Sequence, residues 1–178
     1  MGFGNSFGIS SETNNNIQTK GLVFYIDAAY KKSYPRSGAT WSDIGSGVDG
    51  TVYNATFDSS GYFNLDGSGD YISLDGFSSE LVGMSNFTLS LWFRYHTGSG
   101  YQYLLSMGDG SLGWNVKKWH LSLNKNSNKF WWGSFGDATH QNDDCGSEMT
   151  NNTIYNVVFN SDGTIYKNGV SDATDKTN

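Results

Sequence analysis

The sequence contains few of the residues that mark disulfide-bonded, helical or nucleic-acid-binding proteins. Cys145 is the single cysteine among 178 residues, so an internal disulfide is impossible. No window of eleven or more residues shows a helical stripe of apolar residues. The net charge of −6 argues against a nucleic-acid partner and against anionic lipid, because both require a basic surface. No apolar run is long enough to span a bilayer.

The first residues also lack the features of a secretion signal. They contain no basic region followed by an apolar region, so we expect the protein either to be made and folded in a cytoplasm or to be exported by a route that does not use such a signal. Residues 1–20 are rich in Gly, Ser and Asn and are predicted to form a flexible N-terminal arm. The alternatives are a free tail and an arm that orders on a larger assembly, with Phe3 and Phe7 as anchors.

Glycine and aromatic residues are abundant. The chain has 23 Gly and 16% aromatic residues, a composition typical of an all-β protein rich in turns. The clearest strand covers residues 87–95, where apolar and polar residues alternate and therefore lie on opposite faces. About ten short strands separated by glycine turns predict a sandwich or a barrel. A sandwich fits better, because several strands keep a polar outer face. Residues 21–28 are predicted to be one of these strands, and residues 136–152 a long polar loop.

The order of these segments resembles the laminin-G-like domains of the concanavalin A-like lectin/glucanase superfamily. The similar segments are 25–28, 33–38, 41–51, 64–72, 87–93 and 162–169. The resemblance implies a jelly-roll sandwich of two antiparallel sheets over residues 21–178. Relatives normally continue with further strands after an Asn-Gly hairpin such as Asn168-Gly169. We therefore expect the last strands to be missing, or a neighbour to fill the edge.

Acidic turns are candidate Ca²⁺ sites, because carboxylates and turn carbonyls suit a hard cation and many relatives bind calcium at one rim of the sandwich. The alternative is that these residues only shape their turns. The candidate ligands are Asp66, Asp70, Asp137, Asp143 and Asp144.

Aromatic side chains are candidate stacking surfaces for sugar rings, and nearby polar side chains could bond hydroxyl groups. Trp131 and Trp132 are adjacent in a predicted strand and must point to opposite faces. The alternative is that these aromatics fill the core and subunit contacts. The stacking candidates are Trp92, Trp114, Trp131, Trp132, Tyr101 and Tyr103, and the hydroxyl-bonding candidates are His96, His120 and Asn142.

The carboxylate pattern predicts that the chain is not an enzyme. Glycosidases of this superfamily carry paired carboxylates spaced as ExDxxE, and sugar hydrolysis needs two positioned acids. The three glutamates, Glu12, Glu80 and Glu148, do not have this spacing.

Together these features predict a virion structural, decoration or fibre protein of a bacteriophage. It would assemble in the host cytoplasm, be exposed on the virion, associate with itself or other virion proteins, and display a lectin-like domain to host-surface polysaccharide. The alternative is a cell-surface or extracellular carbohydrate-binding or adhesion module.

Overall fold

A computed structural model describes residues 20–45, 47–77, 86–108, 118–135, 143–162 and 164–174. The predicted arm therefore lies almost entirely outside the described residues. Within those residues, thirteen β-strands form antiparallel sheets, which confirms the prediction of an all-β sandwich. The same residues contain no helix long and apolar enough to cross a membrane. The chain divides into two compact units, Met1–Val82 (unit 1) and Gly83–Asn178 (unit 2), and each is described by itself.

Unit 1 contains two small sheets. Their strands are β1 (Thr40–Trp41), β2 (Gly50–Tyr53), β3 (Thr56–Asp58), β4 (Tyr62–Asn64) and β5 (Tyr71–Ser73). The three-stranded sheet has the order β1-β2-β5, and the two-stranded sheet pairs β3 with β4. The turn between β3 and β4 requires Gly61, which has a φ of 94°. A Cβ at this position would lie 2.8 Å from the Cβ of Ala29.

Aromatic rings hold unit 1 together. Phe63 lies at their centre, with ring centroids 4.7 Å from Tyr34 and 4.8 Å from Trp41. Tyr34 is buried and its hydroxyl donates to the carbonyl of Gly38 at 2.8 Å. Tilted and edge-on ring contacts of this kind stabilise a small core beyond the area that they bury.

The predicted strand over residues 21–28 is wrong. This segment is described but does not pair in a sheet. Its backbone amides bond side chains instead, from Tyr25 N to Asp43 Oδ1 at 2.7 Å and from Asp27 N to Ser33 Oγ at 3.0 Å. Because side-chain acceptors satisfy these donors, the apolar run lies in a loop.

Unit 2 consists of two four-stranded sheets. Their strands are β6 (Thr88–Tyr95), β7 (Tyr101–Gly108), β8 (Lys118–Asn124), β9 (Lys129–Phe135), β10 (Asp143–Cys145), β11 (Thr153–Asn160), β12 (Thr164–Lys167) and β13 (Val170–Thr174). One sheet has the order β10-β9-β8-β7 and the other has the order β13-β12-β11-β6.

One shared core lies between the two sheets of unit 2. Alternation predicted this arrangement for β6, and the described exposures confirm it: every second residue packs inward and the others are exposed. Phe93 of β6 meets Phe130 of β9 edge-on, with ring centroids 6.0 Å apart. The buried members are Tyr95, Leu121, Leu123, Phe130, Met149, Tyr155, Val157, Phe159 and Ile165.

Tyr95 connects the two sheets through a polar contact inside this core. Its side chain is fully buried, and its hydroxyl donates to Asn128 Oδ1 at 2.6 Å, in the turn between β8 and β9. The Lys125 Nζ lies 4.2 Å from the centroid of the same ring, within cation–π range. Burial, followed by the influence of Tyr155, raises the pKa of Tyr95. The hydroxyl therefore stays protonated and keeps donating.

A second polar cluster joins the loop after β10 to the last hairpin. Asp172 accepts from the Ser147 hydroxyl at 2.6 Å and lies 3.3 Å from the Lys167 Nζ, which also donates to Ser147 Oγ. Burial alone would raise the pKa of Asp172, but the bonds from Ser147 and the charge of Lys167 outweigh it and lower that pKa. A Cβ on Gly146 would clash with the Asp172 carboxylate, so this position has no room for a side chain.

Two further elements bear on the sequence predictions. Asn168 and Gly169 have φ values of 51° and 78° and connect β12 to β13, which confirms the predicted Asn-Gly hairpin. The loop predicted over residues 136–152 contains β10, which pairs with β9. Alternation could not indicate β10, because its residues, Asp143–Cys145, show no apolar pattern and form a sheet edge.

Replacing Tyr95 by Phe tests the connection between the sheets. The variant loses one buried bond and leaves Asn128 without its donor, so we expect the free energy of unfolding to fall by about 1 to 2 kcal/mol. Urea denaturation followed by tryptophan fluorescence measures the change. Tyr101→Phe is the matched control, because it removes the hydroxyl of an exposed tyrosine. Equal stability of the two variants would contradict the role assigned to Tyr95.

Candidate functional site

Strand register brings several aromatic residues to the outer face of the β7–β8–β9 sheet. Ser122 in the central strand β8 pairs with Tyr103 of β7 on one side and with Trp131 of β9 on the other. Paired residues share a face of the sheet. Leu121 and Leu123 alternate with Ser122 and belong to the core, so this second face points away from the core.

The rings on this face touch one another. Tyr101 and Trp131 have ring centroids 4.5 Å apart, His120 lies 4.7 Å from Trp131, and Tyr103 lies 5.6 Å from His120 in an edge-on contact. These four residues form a continuous surface, which we call the β7–β9 aromatic cluster. The sequence pointed to each of them separately, and sheet pairing brings them together.

The β7–β9 aromatic cluster has a buried floor and exposed edges. His120 and Ser122 are 1% and 0% exposed, whereas Tyr101 and Tyr103 are 48% and 58% exposed. The Ser122 hydroxyl donates to the carbonyl of Trp131 at 3.1 Å, so this donor is bonded inside the sheet. Solvent therefore meets mainly tyrosine rings and their hydroxyl groups, which is a surface suited to binding rather than to core packing.

Burial keeps His120 uncharged. Removal from water disfavours the imidazolium and lowers the pKa of His120 from its ordinary 6.5 to about 4. At neutral pH the cluster therefore presents a neutral imidazole beneath the rings. Its floor carries no positive charge from this residue.

Trp92 lies on the opposite side of unit 2. It alternates with Leu91 and Phe93, which pack against the core, and its own side chain is 70% exposed. Trp131 likewise alternates with core residue Phe130 in the other sheet. The structure thus separates these two predicted stacking residues onto the two outer faces of the sandwich.

The remaining predicted sugar-binding residues are His96, Trp132, Trp114 and Asn142. His96 is exposed directly after β6. Trp132 is the register partner of Leu121 in the pairing of β8 with β9. Trp114 and Asn142 lie outside the described residues.

The predicted calcium ligands of unit 1 shape their own turn. Asp66 Oδ1 accepts from Ser68 N, and Asp70 Oδ2 accepts from Asp66 N, both at 2.7 Å. Asp143 and Asp144 lie on β10, where register places Asp144 opposite Trp131, and Asp137 lies outside the described residues. Across the described part of the chain, no group of three or more His, Cys, Asp or Glu side chains is arranged to hold a metal. Calcium binding stays a prediction.

One exposed aromatic pair was not found from the sequence. Tyr53 of β2 and Tyr71 of β5 are paired residues, and their rings stack 4.5 Å apart at 14°. They are 40% and 51% exposed. The signal was a tyrosine at the end of β2 and another at the start of β5, but their pairing depends on a contact between segments eighteen residues apart in sequence.

Comparison with known proteins identifies the fold and no family. No protein-family model matches the chain, and no curated protein matches it in sequence. The solved structure of a Trypanosoma rangeli sialidase in complex with 2,3-difluorosialic acid, a covalent intermediate, is similar, with 20% identity and a TM-score of 0.61. The match covers 93% of this chain and 26% of the sialidase chain, so this protein spans about a quarter of that enzyme.

This comparison corrects one prediction. The glutamate spacing predicted that the chain is not an enzyme, and that prediction is contradicted, because the structure that shares its fold is an enzyme. The ExDxxE spacing describes only one way of placing catalytic acids and cannot exclude others. At 20% identity the likeness shows the fold alone and supplies no active-site residues.

The low pKa of His120 makes stability depend on pH. Because His120 binds its proton only near pH 4 when folded but near pH 6.5 when unfolded, the unfolded chain gains protons first as the pH falls. The contribution of neutral His120 to the free energy of unfolding is complete above pH 6.5. It is lost as the pH falls from 6.5 to 4, by up to about 3 kcal/mol. Urea denaturation at several pH values measures it.

The His120→Leu variant is expected to lose this part of the pH dependence, while His96→Gln, at an exposed position, keeps it. Carboxylates titrate equally in all three proteins, so the difference between the curves isolates His120. Identical curves for His120→Leu and the unaltered protein would contradict the assignment.

Proposed function

We propose that unit 2 is a carbohydrate-binding module of the concanavalin A-like, jelly-roll type, and that it binds sugar rings on the β7–β9 aromatic cluster. The observation that carries this proposal is the joined surface of Tyr101, Tyr103 and Trp131, in which both tyrosines are about half exposed. An exposed aromatic surface of this kind is unusual unless something binds there.

The physical basis is the match between an aromatic face and a pyranose ring. The ring face carries negative partial charge and attracts the C–H bonds on the apolar side of a sugar. Tyrosine adds a hydroxyl at the edge of the same surface, where sugar hydroxyls would lie. Because Tyr101 and Trp131 are tilted by 34° rather than coplanar, the surface suits a bent or twisted sugar chain better than a flat crystalline one.

Polar residues at the border of the cluster support the same ligand. Asn124 pairs with Tyr101, and the exposed Ser106 pairs with His120, so each end of the cluster has a hydrogen-bonding residue on its face. A few polar groups around an apolar surface orient a ligand and provide specificity. The shared fold with part of a sialidase, an enzyme named for a sugar substrate, is compatible with this proposal.

The wider setting is a separate question. The bacteriophage virion, its proteins as partners and its surface as location stay predictions from the sequence, since no described contact bears on them. Sugar binding by unit 2 is equally compatible with an adhesion module and with a catalytic unit in the same protein.

Affinity electrophoresis tests the proposal. Native gels containing neutral polysaccharides (xylan, galactomannan, β-glucan, dextran) or acidic ones (alginate, polygalacturonate, hyaluronan, colominic acid) should retard the protein in at least one case. We expect Tyr101→Ala and Trp131→Ala each to weaken that binding by about tenfold, a free-energy loss of about 1.4 kcal/mol.

Tyr53→Ala is the matched control, because Tyr53 is also an exposed, stacked tyrosine but belongs to unit 1. Its affinity should equal that of the unaltered protein. Full affinity of both Tyr101→Ala and Trp131→Ala would overturn the assignment of the site, and failure of every polysaccharide to retard the protein would overturn sugar binding.

A further inference from the structure

We propose that the stacked pair of Tyr53 and Tyr71 in unit 1 is a site of oxidative cross-linking, at which hydrogen peroxide and a haem peroxidase join the two rings as dityrosine. The product connects β2 to β5 by a carbon–carbon bond. This inference does not depend on sugar binding by unit 2, because it concerns another surface and another chemistry.

Sheet pairing holds the two rings in direct contact. Tyr53 and Tyr71 are register partners of β2 and β5, and their ring centroids lie 4.5 Å apart with an angle of 14° between the planes. Side chains of directly opposite residues project to the same side of a sheet, so the outer ends of both rings lie next to each other. These ends carry the hydroxyl group and the two ortho carbons, which are the carbons that bond in dityrosine.

The chain on both sides of the pair is held in register. Asn54, the residue after Tyr53, donates through its Nδ2 to the Gly69 carbonyl at 3.0 Å, two residues before Tyr71. On the other side, the antiparallel pairing continues to the end of β5. Two reacting groups that are held in contact react far faster than free ones, because no encounter is needed. Coupling within the molecule should therefore be faster than coupling between molecules.

Both rings are open to an oxidant in solution, because Tyr53 and Tyr71 are exposed. An enzyme that oxidises phenols must approach the ring or its hydroxyl group, so a buried tyrosine is protected. Tyr34 and Tyr95 are buried and are protected in this way. Exposure and contact thus coincide at the Tyr53–Tyr71 pair.

The exposed tyrosines of unit 2 have different ring neighbours. Tyr101 contacts Trp131 and Tyr103 contacts His120, so a tyrosyl radical formed at either position faces a ring that is not a phenol. Tyr101 and Tyr103 are two residues apart on one strand, which separates their Cα atoms by about 6.6 Å. Native packing therefore favours coupling of Tyr53 with Tyr71 over coupling within the β7–β9 aromatic cluster.

The reaction balances with one molecule of hydrogen peroxide. Each phenol loses one electron and one proton to become a phenoxyl radical, and the two radicals form one bond between ortho carbons. The hydrogen on each bonded carbon then moves to oxygen, which restores both phenols. The peroxidase passes the electrons and protons to hydrogen peroxide, whose O–O bond breaks to give two water molecules. The protein therefore loses two hydrogen atoms.

The cross-link supplies unit 1 with a covalent bond that cysteine cannot supply. Cys145 is the single cysteine of the chain and belongs to unit 2. A bond between residues 53 and 71 closes the segment that contains β3 and β4 into a loop. Closing a loop restricts the unfolded chain and so stabilises the folded state.

The experiment treats the dilute full chain with a haem peroxidase and hydrogen peroxide. Intact-mass spectrometry should show a monomer that has lost two hydrogen atoms, and that monomer should have the blue fluorescence of dityrosine. We expect the initial rate per molecule to stay the same when the protein is diluted, whereas the rate of coupling between molecules falls in proportion.

Peptide mapping identifies the linked residues. A protease specific for aspartate cuts between the two tyrosines, at Asp58, Asp66 and Asp70. Two peptides that stay joined through Tyr53 and Tyr71 after this digestion prove the link.

Tyr53→Phe and Tyr71→Phe each remove one phenol and keep the ring, so each should abolish the link. Tyr101→Phe is the matched control, because it removes the phenol of an exposed tyrosine in unit 2, and it should form the link at the unaltered rate. Circular dichroism of the three variants measures whether their fold is unchanged.

The cross-linked monomer should also unfold at a higher urea concentration than protein incubated without peroxide. Unaltered protein that forms dityrosine only between molecules, or that forms none, would overturn the proposal. A monomer of Tyr53→Phe that still forms dityrosine at the unaltered rate would do the same. An unchanged urea midpoint of the linked monomer would overturn the stabilising role of the bond.

Discussion

The packing of two four-stranded sheets on one core determines the other features of unit 2. Each strand must alternate, and each inward residue is committed to the core that Phe93 and Phe130 share across the gap. The buried hydroxyl of Tyr95 then connects one sheet to a turn of the other through Asn128. Once these contacts form, the opposite face of every strand must point outward, whatever side chains it carries.

Function can be inferred from the side chains on those outward faces. A small residue, Ser122, in the central strand β8 lets larger rings from both neighbouring strands close over it. Burial of His120 in this arrangement removes its charged form from water and lowers the pKa of His120. Its imidazole therefore stays uncharged at neutral pH. The other sheet carries the exposed side chains of Trp92 and Arg94 outward on β6. The two faces therefore have different chemistry although they share one core.

Local patterns predicted what depends on local sequence. The alternation in β6 and the Asn168-Gly169 hairpin were found because each is encoded within a few residues. The segment over residues 21–28 was predicted wrongly, because Asp43 and Ser33 satisfy its amides from elsewhere in the chain. The aromatic cluster could be predicted as separate residues only. Its assembly depends on the register of β7, β8 and β9, including an irregularity near Leu104, which composition does not encode.

The most direct test of the account is ¹⁹F NMR of the protein labelled with 5-fluorotryptophan. The six tryptophans give six signals, and single Trp→Phe variants assign those of Trp131 and Trp92. The titrant is an oligosaccharide cut from the polysaccharide that retards the protein most in gels. The account predicts that the Trp131 signal shifts and saturates with the binding curve. Saturable binding that leaves the Trp131 and Trp92 signals unmoved, while other tryptophans shift, would contradict it.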